Sequence, residues 1–71
     1  MEKNFRVLRQ KIGVNQEDFW RKVGITQSGG SRYETGRRIP EPVKTLLALA
    51  YGSDAEAKEM YDRLRRPLKP E

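Results

Sequence analysis

Between Asn15 and Gly36 two N-capping residues and two glycine stops alternate, in the run NQEDFWRKVGITQSGGSRYETG. That spacing admits two short helices and a tight turn. Asn15 is a favourable N-cap, and Asp18, three residues on, can act as the acidic partner of a capping box. Phe19, Trp20 and Val23 recur at i, i+1 and i+4, one apolar stripe on a helix over 16–23. Gly24 ends that helix because it tolerates positive φ. Ile25 is an apolar turn residue. Thr26 is a second N-cap, opening a helix over 27–35 that Thr35-Gly36 stops. Two helices joined by a glycine-containing turn of three or four residues form the helix-turn-helix pattern.

The rest of the chain narrows what this unit can serve. Seventy-one residues make one domain with a thin stability margin. The absence of cysteine leaves no disulfide frame and no thiolate metal site. The absence of histidine removes the commonest general base and metal ligand. Carboxylates are dispersed or placed as caps and helix-surface pairs, and no serine has a base partner by spacing. We therefore expect no enzyme, no metal and no cofactor. No apolar run nears the roughly 18 residues of a membrane span, and no basic start leads into an apolar signal, so the expected address is the cytoplasm. Fifteen basic against ten acidic residues give a net charge of +5 and a pI near 9.9. Such a balance suits solubility in general, or a polyanionic partner.

Taken in order, residues 1–12 read as helix 1, with Phe5, Leu8 and Ile12 on one apolar face. Gly13 closes it and Val14 packs at the turn. After the second short helix, Pro40 and Pro42 hold the chain out of helix until about Pro42, a suitable first-turn residue. Helix 4 follows, with a core stripe of Val43, Leu46, Leu47 and Ala50, Leu49 half exposed and Gly52 as its stop. Helix 5 opens with the capping box Ser53–Glu56. Ala57, Met60, Tyr61 and Leu64 form one face, read as intramolecular core. Asp54–Lys58, Glu59–Arg63 and Asp62–Arg66 are acid-to-base pairs at i, i+4. Pro67 ends the helix and 67–71 form a frayed tail.

Leu8-Arg9, Gly13, Gln16, Gly24, Thr26-Gln27, the run Ser31-Arg32-Tyr33-Glu34, Gly36 and Pro40 together resemble the lambda-repressor/Cro type of DNA-binding domain. These are small bacterial and phage transcription regulators, also known as the xenobiotic-response-element family. The resemblance covers roughly residues 5–52. It implies an all-α, five-helix DNA-binding domain over 1–66, with the helix-turn-helix at 16–35. It implies a structural ion pair between Arg9 and Glu34. The alternative at that site is two solvated charges, worth about 0–1 kcal/mol as a surface pair.

Two positions depart from the pattern. The family usually has a branched apolar residue where Gly30 stands and a small one where Trp20 stands. The simplest expectation is volume compensation: Trp20 fills the space over Gly30, since interiors tolerate volume-conserving exchange best. A break of helix 3 at Gly29-Gly30 is the competing expectation, because each glycine costs about 0.8–1 kcal/mol in a helix.

As the reading helix of such a unit, helix 3 would enter the major groove. Gln27, which can pair bidentately with adenine, is the leading base-contact candidate, followed by Ser28, Arg32 and, more weakly, Ser31. Gly29 would free the groove face of bulk. Tyr33 reads as core. Phosphate contacts fall to Asn15 and Gln16 at a helix N-terminus, to Arg37 and Arg38, and to Lys11 and Arg21. Each alone reads equally well as a solvated polar residue; as a set they cluster on one face. The expected partner is double-stranded DNA, an operator of palindromic form bound by a homodimer, with no separate small-molecule effector domain. A toxin protein is the alternative partner, as for an antitoxin, and a protein-interaction module is a third reading.

Overall fold

The computed structural model describes residues 3–68. Among them are five helices and no strand: α1 (Phe5–Ile12), α2 (Gln16–Arg21), α3 (Gln27–Glu34), α4 (Glu41–Tyr51) and α5 (Asp54–Leu64). The fold is all-α. Short helices need their ends satisfied, because each leaves four backbone donors and four acceptors without an internal partner. Here side chains do this at four of the five starts. The Asn4 carboxamide accepts from the N–H groups of Arg6 and Val7. Asn15 accepts from Asp18, Thr26 from Gly29 and Ser53 from Glu56. At α5 the box is complete, with Glu56 accepting from the Ser53 N–H. At α2 it is not: the Asp18 carboxylate accepts from the Asn15 side-chain amide.

The core is small and centres on Phe19, Trp20, Val23 and Leu47. Phe5, Leu8, Val14, Ile25, Tyr33, Ile39, Val43, Ala50 and Tyr51 pack around it. Three aromatic rings surround the Trp20 indole or its neighbour: Phe5 and Phe19 meet it edge-on at 6.1 and 5.2 Å, and Tyr33 lies tilted at 5.5 Å. α2 packs on α3, and α4 on α5. Tyr51 bridges the halves, stacking on Phe19 at 4.2 Å and donating to the Phe19 carbonyl.

Several expectations are corrected. Helix 1 begins at Phe5, not at the first residue, because Asn4 caps it; residues 1 and 2 lie outside the described residues. Ile12 is exposed, since it is the last residue of α1 and falls beyond the packed part of that face. α2 ends at Arg21 rather than Val23; the following turn closes on Trp20, whose carbonyl accepts from both Val23 and Ile25. On α4 the buried face centres on Leu47 and is rotated toward Tyr51, which the Phe19 stack holds inward. Leu46 is therefore exposed and Leu49 half-buried. On α5, Tyr61 and Leu64 are exposed rather than core, because the partner helix covers only the side bearing Ala57 and Met60. Lys58 pairs with Asp62 at 3.0 Å, not with Asp54, which sits among the unpaired N–H groups of the first turn. Glu59–Arg63 is present at 3.1 Å, while Asp62 is engaged by Lys58 instead of Arg66. Of the expected tail, Pro67 and Leu68 are exposed and non-helical, and 69–71 lie outside the described residues.

Candidate nucleic-acid interface

The candidate interface lies on α3, and α3 is held by its inner face. Trp20 is fully buried. A Cβ added to Gly30 would overlap the Trp20 indole at Cγ and Cδ1. The large residue on α2 thus occupies the space that the missing side chain on α3 leaves, and α3 runs unbroken through Gly29-Gly30. Gly29 has a different reason. A Cβ there would meet Ile25 at 3.1 Å and Thr26 at 3.3 Å, so this glycine relieves the turn rather than the groove face.

The far end of α3 is tied by charge. Arg9 from α1 grips Glu34 with two hydrogen bonds, Nε to Oε2 at 3.0 Å and Nη2 to Oε1 at 3.1 Å. Its third donor reaches the Val14 carbonyl. The Trp20 indole N–H donates to the same carboxylate at 2.7 Å, and Gln16 also hydrogen-bonds it. The Glu34 side chain is only 2% exposed. Burial alone would raise its pKa, but the bonds from Arg9, Trp20 and Gln16 outweigh burial and lower it. One carboxylate therefore joins α1, α2 and the end of α3. Sequence reasoning did not find the indole bond, because the direction of an N–H depends on a rotamer that spacing does not report.

The outer face of α3 is free. At 3.6 residues per turn Gln27, Ser28, Ser31 and Arg32 fall within an arc of about 140°, opposite Gly30 and Tyr33. Gln27, Ser28 and Arg32 are exposed and Ser31 is half-buried. Arg37 and Arg38 follow in the loop, both exposed. The remaining candidates are more committed. The Asn15 amide is engaged on both sides by Asp18. Gln16 is half-buried and directed to Glu34. Arg21 meets Glu17 at 2.6 Å and Asp18 at 3.6 Å. Lys11 is exposed in the last turn of α1. Glu17, Arg21 and Gln27 border one shallow depression across the turn, so Arg21 also screens an acid beside α3.

Residues 6–50 match the profile of the RsaL-like HTH domain. The chain belongs to that family. No curated protein and no solved structure matches it. An RsaL-like HTH domain is a helix-turn-helix domain, and the partner such a domain takes is DNA. Among the described residues no helix is long and apolar enough to cross a membrane, and no three acidic, histidine or cysteine side chains group as a metal site would need.

Proposed function

We propose that this RsaL-like chain is a sequence-specific transcriptional regulator, a repressor that lays α3 in the major groove of its operator. The observation that carries the reading is the two-sided character of α3. Its inner face is fixed by Trp20 and Glu34, while the side chains of Gln27, Ser28 and Arg32 project from the other with no hydrogen-bond partner among the described residues. Gln27 and Arg32 are the base-reading pair, and Ser28 and Ser31 fill the space between them. Arg37 and Arg38 hold phosphates, joined at lower weight by Lys11, Asn15, Gln16 and Arg21, whose side chains already have partners. The lambda-repressor/Cro resemblance supports the same assignment, and the DNA-binding unit is taken to run from 1 to 66.

The test compares a selected site with random duplex. Gln27→Ala is expected to cost about 1–3 kcal/mol on the selected site and to relax preference at one base pair. Arg37→Ala is expected to weaken binding to both DNAs and to lower the salt slope by about 1. Equal losses on both DNAs for both variants would overturn these roles.

One module makes few contacts, and a homodimer on a near-palindromic operator would double them. An apolar groove between α4 and α5 supports this reading. Pro42, Leu46, Leu49 and Leu64 line it, and Leu46 and Leu64 are about half exposed, at 45% and 58%. Sedimentation of the wild type and of Leu46→Glu is the check. A dimer that the variant dissociates supports the reading, and a monomer at every concentration removes it, leaving the groove to a different protein such as a toxin.

A further inference from the structure

Beside α3 the fold leaves a cleft of about 630 Å³, between the start of α1, the end of α3 and the α3–α4 loop. That volume lies within the range of small-molecule sites, about 300–1,000 Å³. Phe5, Tyr33 and Ile39 form its apolar wall. All three are half-buried and packed on the core, so the wall exists before any ligand arrives. Lys3, Arg37 and Arg38 line the same cleft, and none of them forms an ion pair among the described residues. Lys44 adds a fourth cation, 3.5 Å from the Glu41 carboxylate. Among the described residues no acidic side chain lines the cleft. Glu34 borders the adjoining depression, but Arg9 and Trp20 already occupy its oxygens. At Gly36, which lines the cleft, an added Cβ would meet nothing within 4 Å.

An apolar wall facing unpaired guanidinium groups selects a flat apolar body that carries one anion. Guanidinium forks match carboxylates in planar, bidentate geometry, and aromatic walls favour a ring. We propose that this cleft binds a small aromatic carboxylate, its ring against Phe5, Tyr33 and Ile39 and its carboxylate on Arg37 and Arg38, and that occupation weakens DNA binding. The second half rests on the assignment of these arginines to phosphates. The cleft then makes the helix-turn-helix itself responsive to a metabolite.

The experiment titrates the isotope-labelled chain with 2-naphthoate, following backbone amide shifts. Its neutral counterpart 2-naphthamide and inorganic phosphate serve as controls. The expected result is saturable one-to-one binding with shifts centred on Tyr33, Gly36 and Ile39. Both controls, and the surface variant Arg37→Gln/Arg38→Gln, are expected to bind at least about tenfold more weakly, as the loss of one charged hydrogen bond implies. Equal affinity for naphthoate and naphthamide would overturn the proposal. So would phosphate binding as tightly as naphthoate, or shifts centred on Leu46, Leu49 and Leu64. Displacement of duplex DNA by naphthoate is measured separately. Naphthoate binding without displacement keeps the cleft and removes its regulatory role; DNA binding without naphthoate binding keeps the repressor reading and removes the cleft.

Discussion

The first three helices and the last two are built by different means. Around α2 and α3 the chain concentrates its only tryptophan, its fully buried phenylalanine and a carboxylate that receives bonds from three side chains. The α4–α5 pair contributes one fully buried residue, Leu47, and leaves Leu46, Tyr61 and Leu64 exposed. Yet α5 opens on a complete capping box and its outer face carries ion pairs. The contrast teaches where precision is needed. A reading helix must be placed against its neighbours in depth and rotation, which packing and directed hydrogen bonds achieve. A supporting pair needs only to persist, and it can leave apolar side chains exposed.

The largest expected effect is at the first of these regions. Trp20→Ala should cost about 3–5 kcal/mol in urea unfolding, a large part of the total of about 5–15 kcal/mol for a domain. Leu46→Gln at the second should stay within about 0.5 kcal/mol, as exposed substitutions do. Comparable losses for the two would erase the contrast.

Next comes the carboxylate. Glu34→Gln removes a charged acceptor and should cost about 1.5–3 kcal/mol near neutral pH. The Glu34 carboxyl titrates lower in the folded than in the unfolded chain. Its contribution is thus present above the unfolded value and lost as pH falls through the folded one. Stability curves of wild type and variant, measured from neutral to acid, should converge on the acid side. Parallel curves would show that Glu34 is not the group responsible.

The third effect sharpens the packing claim. Gly30→Val alone should overpack the site and cost about 1–3 kcal/mol. Combined with Trp20→Ala it should fill the cavity, so that the double variant loses less than the sum by about 0.5–3 kcal/mol. Strict additivity in a double-mutant cycle would mean that the two positions do not exchange volume.

Much of this arrangement is legible in local sequence. Asn15, Thr26 and Ser53 announce helix starts because a short polar side chain there has one physical use. The Trp20–Gly30 relation is legible only against the family resemblance, as a matched excess and deficit of volume. Asn4 carries the same capping signal immediately before Phe5, where the apolar period also begins, so the start of α1 is legible there too. What was not legible depends on direction and on distant partners. The Trp20 N–H finds Glu34 through a rotamer, and Tyr51 stacks on Phe19 across 32 positions of sequence. That stack also sets the rotation of α4, which is why Leu46 and not Leu49 emerges. At the interface the candidate types could be read from the sequence. The prior engagement of Gln16 and Arg21 could not, since each depends on a neighbour's reach.

The most direct test of the regulator reading is selection from a randomised duplex library at two salt concentrations, with sequencing of the bound fraction. The result expected is a symmetric motif with half-sites about 10 base pairs apart and affinity that falls steeply with salt. Weak, patternless retention would contradict it, reducing Arg37, Arg38 and the exposed face of α3 to general electrostatics.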